Sequence, residues 1–88
     1  MQRTYIAIHA DICPIIKAWV PDFPGVTVPG DRWADTLTIL PIILEKHVDE
    51  MMRRGEPLPT PTVPDLWAIH REYPEALIGF VDVDANED

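Results

Sequence analysis

Pro21-Asp22-Phe23-Pro24-Gly25 stands between an apolar run and the start of a long helical pattern. The two prolines fix φ and remove two amide donors, and the glycine can take φ > 0. Such a segment is a shaped corner between strands, because proline is confined to turns and strand edges. Few small folds place that corner between a first hairpin and one long helix. Pro21, Asp22, Pro24 and Gly25, with Gly30 further on, are therefore read as a structural motif. Gly25 is expected to need the left-handed region, which a β-branched residue tolerates poorly, so Gly25→Val should be severely destabilising.

Before the corner, residues 4–9 alternate, with Tyr5, Ala7 and His9 on one face and Ile6 and Ile8 on the other. That is the pattern of a half-buried strand. Residues 15–20 read as a second strand, and the short connection predicts an antiparallel hairpin. A short third strand, 26–28, ends at Pro29-Gly30. Asp31 is placed to cap a helix whose stripe of Trp33, Leu37, Leu40, Leu44, Val48 and Met51 recurs every three or four residues. Ile43 and Met52 widen that stripe. Asp35 puts negative charge near the positive end of the dipole, and Arg53-Arg54-Gly55 supplies basic residues and a C-cap glycine. Pro41 falls inside, where the unbroken phase of the stripe predicts a kink.

Prolines at 57, 59, 61 and 64 make an extended connector. Residues 65–71 can form one or two helical turns with Leu66, Trp67 and Ile69 inward. Residues 76–83 are apolar on both faces, as in a central strand, and 84–88 make an acidic, frayed tail. The fold class is α+β, a small antiparallel-rich sheet of three N-terminal strands, one long helix and one C-terminal strand. One helix covers only one face of a sheet. The other face, or an edge, is left for a partner, and a homodimer or higher homo-oligomer is expected.

At 88 residues and 47% hydrophobic the chain is expected to be a single domain over 1–88. Fifteen acids against seven bases give a net charge of −8. That field repels phosphate backbones, which argues against direct nucleic-acid binding, and it steers a basic partner inward. The single cysteine, Cys13, excludes an internal disulfide and a thiolate zinc cluster, and reads as a small core or strand-end residue. No apolar run is long enough for a signal peptide or a membrane span, so a cytoplasmic setting is expected.

His9, His47 and His70 show no metal-ligand spacing, and His47 sits one position off the helix stripe as a boundary residue. There is no nucleophile triad and no phosphate-binding glycine loop. Residues 82–88 resemble half a calcium loop, but Glu87 stands where glycine is needed. Asp11 and Asp82 are the one carboxylate pair at strand ends that could approach a shared cation. Catalytic, cofactor and metal sites are therefore all expected to be absent.

Tyr5-Ile6-Ala7-Ile8, the corner Pro21-Asp22-Phe23-Pro24-Gly25, Gly30-Asp31 before the helix, and Arg54-Gly55-Glu56-Pro57-Leu58-Pro59-Thr60-Pro61 after it together resemble HicB antitoxins. A final strand ending Val81-Asp82-Val83-Asp84 is similar too, so the likeness runs from about residue 4 to 84. It implies a partial RNase H-like fold without nuclease function. It also implies binding to a small basic HicA-type toxin, a double-stranded-RNA-binding-like mRNA endonuclease whose active site the antitoxin covers. Many members carry a C-terminal DNA-binding domain; this chain is expected to lack one, which departs from the pattern, as do Val26, Trp33 and Pro41.

Acidic residues near strand ends and the exposed helix side, Asp22, Asp31, Asp35, Asp82 and Asp84, are the expected toxin contacts, with Trp19 as an anchor. Two other readings differ in kind. One is a degenerate RNase H-like metal-dependent nuclease or small-ligand-binding domain that uses the carboxylates, and the other a stand-alone dimeric scaffold.

Overall fold

Six elements follow one another in the computed structural model, which describes residues 2–84. They are β1 (Gln2–Asp11), β2 (Ile16–Val20), β3 (Phe23–Gly30), α1 (Trp33–Arg53), α2 (Leu66–Glu72) and β4 (Leu77–Asp84). The strands form one antiparallel sheet in the order β3-β2-β1-β4. The α+β class and the long helix after three strands stand as expected. The tail at 84–88, with the half calcium loop, lies outside the described residues except where β4 ends.

Burial assigns the central strand differently from the sequence pattern. β4 is an edge strand, with Phe80 72% exposed, whereas residues 5–10 of β1 are all buried. The sequence misleads because alternation in β1 reads as a half-buried strand, yet both of its faces are covered and His9 is only 3% exposed. One face of β1 lies against α1 and the other, carrying Ile6 and Ile8, lies under a second layer. Tyr73, which ends α2, provides part of that layer by meeting Trp19 edge-on at 5.7 Å. Leu66 and Ile69 are half-buried, but Trp67 is 83% exposed and does not pack inward.

The core joins Tyr5, Ala18, Val20 and Phe23 to Leu40, Leu44 and Val48 of α1. Each of those helix side chains contributes about 1.5–3 kcal/mol by leaving water. The buried row on α1 is Thr36, Leu40, Leu44 and Val48; Leu37 and Ile43, counted in the expected stripe, are 47% and 39% exposed. Helix entry also departs from expectation. Arg32, not Asp31, is the N-cap residue, and the Asp35 carboxylate accepts from the Asp31 and Arg32 amides at 3.2 and 3.1 Å. The exit is as read: Gly55 has φ +71, and the Gly55 and Glu56 amides donate to the Met52 and Met51 carbonyls at 3.1 and 2.9 Å. That is a Schellman pair, and only glycine adopts its φ without strain.

The corner needs a further correction. β3 begins at Phe23, so Pro24 and Gly25 are strand residues and the turn is Pro21-Asp22 alone. Gly25 does not take positive φ, and a Cβ there would meet only His47 Cε1 at an ordinary 3.8 Å. Gly30 is the constrained glycine. Its Cβ would lie 2.9 Å from the Asp35 Cβ and 3.0 Å from the Thr36 Cγ2, because α1 starts directly over the end of β3. Cys13 is exposed in the β1–β2 turn and not in the core. Gly30→Ala is expected to cost about 1–3 kcal/mol through overpacking. In a domain of this size Tm then falls roughly 4–8 °C per kcal/mol. Gly25→Ala in the same thermal scan should stay close to wild type.

Candidate interaction surface

Internal roles absorb several of the acids first marked as contacts. Asp22 accepts from the Thr62 amide at 3.0 Å and from the Thr62 hydroxyl, fastening the proline connector to the β2–β3 corner. Arg3 Nη1 donates to the Leu58 and Pro59 carbonyls at 3.4 Å, and the Tyr5 hydroxyl donates to Pro59 at 2.7 Å. The connector is thereby held along one end of the sheet on its way to the second face. Its proline spacing predicted an extended form, but no local signal marks partners some 40 to 56 residues away.

Asp35 organises the helix start and also pairs with Arg32 at 3.6 Å. Asp82 accepts from the Thr4 hydroxyl at 2.6 Å, across the β1–β4 ladder. Asp84 lies opposite Gln2, and Asp31 is exposed beside the α1 N-terminus. Trp19 is half-buried between Tyr73 and the Lys17 ammonium, 5.6 Å from its ring centroid. By register, Asp22, Asp82 and Asp84 lie toward one end of the sheet and Asp31 and Asp35 at the other. They form no single cluster.

The same register separates the one pair that could have shared a cation. Asp82 is opposite Thr4, while Asp11 ends β1 seven positions further along. At strand rise that is about 23 Å, too far for any shared ion. Among the described residues no group of three or more His, Cys, Asp and Glu side chains is placed to hold a metal.

An open hollow of about 350 Å³ is lined by Asp11, Cys13, Glu72, Tyr73, Pro74, Glu75 and Ala76. Asp11 is occupied there in accepting from the Cys13 amide at 2.9 Å, and the charge of Glu72 pushes the Tyr73 phenol above its ordinary value. The set holds no histidine or lysine beside the Cys13 thiol.

His9 is structural. Its Nδ1 lies 2.9 Å from the Thr36 hydroxyl, which donates its one proton to the Trp33 carbonyl at 3.2 Å. The His9–Thr36 hydrogen bond ties β1 to the first turn of α1. His47 is the boundary residue expected, its ring edge-on to Phe23 at 5.8 Å.

What remains at the surface is apolar as well as acidic. Leu37, Ile39, Ile42, Trp67 and Phe80 are all at least 40% exposed. Exposed apolar side chains of this size are a mark of protein-interaction surfaces.

The comparisons agree with that class. A family model described as "HicB_like antitoxin of bacterial toxin-antitoxin system" matches residues 5–87. The chain belongs to the HicB-like antitoxin family. It is similar in fold to a chain of the structure described as the HicA3 and HicB3 toxin–antitoxin complex, at TM-score 0.68 and 23% identity, covering 94% of this chain and 100% of that one. It is also similar to the N-terminal domain of the Burkholderia pseudomallei antitoxin HicB, at TM-score 0.72 and 23% identity with the same coverage. Against the longer Burkholderia pseudomallei HicB the TM-score is 0.74 at 27% identity, covering 99% of this chain but 64% of that one. No curated protein matches the chain.

Burial lowers the His9 pKa from its ordinary 6.5. The unfolded chain therefore takes up the proton first as pH falls. The stability contributed by neutral His9 is complete above pH 6.5 and is lost as pH drops through the folded-state value. Between pH 7 and 5.5 the urea midpoint of the wild type should fall more steeply than that of His9→Gln.

Proposed function

We propose that this chain neutralises a small, basic HicA-type endonuclease toxin by binding it, in the cytoplasm and without catalysis of its own. The family match over residues 5–87 carries this reading. Two physical features support it. A net charge of −8 attracts a protein built to hold RNA, and it competes with the phosphates that protein binds. The apolar side chains left on the surface supply contact area that charge alone does not give. The exposed carboxylates of Asp31, Asp82 and Asp84 remain candidate contacts, whereas Asp22 and Asp35 act chiefly by holding the connector and the helix start.

The toxin expected is the basic product of a neighbouring open reading frame. Its co-expression with this chain should restore growth that the toxin alone arrests, and affinity should fall by tenfold or more as salt rises from 50 to 500 mM. Growth arrest that persists, or RNA cleavage by the purified chain itself, would overturn the reading.

The unit that binds is a homodimer joined through β4. The outer edge of β3 carries Pro24 and Pro29, but the eight residues of β4 contain no proline or lysine to blunt theirs. Antiparallel pairing about Phe80 sets Phe80 against its own copy and Leu77 against Val83, while Asp82 faces Ile78 and no acid faces an acid. Phe80→Asp should give a monomer by light scattering with an unchanged circular dichroism spectrum; a wild type that is itself monomeric would remove this element.

A further inference from the structure

Three isoleucines of α1, Ile39, Ile42 and Ile43, face away from the core, exposed at 40, 61 and 39%. Positions i, i+3 and i+4 share one helix face, so they form a continuous shoulder. Nothing within the helix calls for them, since β-branched residues are poorer helix formers than the Glu and Lys at other solvated positions of α1. The shoulder runs into an open notch of about 300 Å³ between α1 and the end of β3, lined by Ile15, Pro29, Gly30, Asp31, Asp35 and Ile39. The walls of the notch are aliphatic and its rim holds two carboxylates. Its strand edge is closed by Pro29, so recognition there falls to side chains and not to strand addition.

A lysine or arginine side chain matches both halves of that notch. Its methylene stem lies along Ile15, Pro29 and Ile39 while its charged head reaches the rim. Asp35 is already held by two backbone amides and by Arg32 at 3.6 Å, so Asp31, exposed beside it, is the rim carboxylate that meets the partner's cation. Resting on the function proposed above, we propose that this shoulder and notch are the docking surface for the basic toxin. An aliphatic patch of the toxin covers Ile39, Ile42 and Ile43, and one of its cationic side chains enters the notch. Complementary charge selects that occupant over a second copy of this chain, which is itself at −8. The surface also lies at the β3 side of the sheet, opposite the β4 edge, so toxin and second copy do not compete.

The test uses the full chain against the toxin it neutralises, with the double variant Ile39→Gln/Ile42→Gln and the single variant Asp31→Asn. Both leave the core untouched and should keep the wild-type Tm and oligomeric state. By titration calorimetry the double variant is expected to bind the toxin at least tenfold more weakly. Asp31→Asn is expected to bind more weakly with a shallower salt dependence. Toxin affinity unchanged in the double variant would overturn the surface and leave the functional reading standing. A change of oligomeric state in that variant would also overturn it, assigning the shoulder to a second copy. Absence of binding by the wild type would overturn both.

Discussion

The first turn of α1 sits directly on the last residue of β3. Gly30 leaves no room for a Cβ beneath Asp35 and Thr36, so the helix rests on strand backbone. His9 adds a hydrogen bond to Thr36 from β1, two strands away. With those two points fixed, the rotation of α1 about its axis is no longer free. Thr36, Leu40, Leu44 and Val48 must face the sheet, and Ile39 and Ile42 must face water. The same contact that closes the core creates the outer surface.

Local chemistry made some of this legible. Gly55 announced the helix end, because a left-handed residue beyond a basic last turn is a strong stop signal. The helix length, the strand count and the extended form of the proline connector followed from period and proline spacing alone. What periodicity could not supply was strand order. β1 reads as half-buried and β4 as apolar on both faces, the reverse of their places in the sheet, because a period of two does not tell an interior strand from an edge strand. The difference lies in what covers each, and Tyr73 against Trp19 is a contact across 54 positions.

The glycines show the limit in another form. Gly25 sits in a conspicuous proline corner yet has space around it, whereas Gly30, read as part of the same motif, is the crowded one. Only the crossing helix makes the second indispensable. The candidate acids behave similarly. Asp22 is conspicuous in sequence, and its carboxylate is taken by Thr62; Asp35 was read as a dipole partner and proves to anchor the helix entry. A carboxylate's partner is set by the fold, and the chain has fifteen acids from which the fold can choose.

Charge and apolar surface answer different needs of a binding protein. Long-range attraction raises the rate at which a basic partner arrives, but exposed ion pairs contribute only about 0–1 kcal/mol each and weaken with salt. Lasting occupancy calls for apolar area removed from water. An antitoxin with −8 and no bare hydrophobic patch would meet its partner quickly and lose it quickly. The isoleucine shoulder of α1 stands beside the carboxylates of Asp31 and Asp35, so one surface carries both properties. On the function proposed above, that pairing suits a basic protein better than RNA, which offers the acids only repulsion and the isoleucines no aliphatic counterpart.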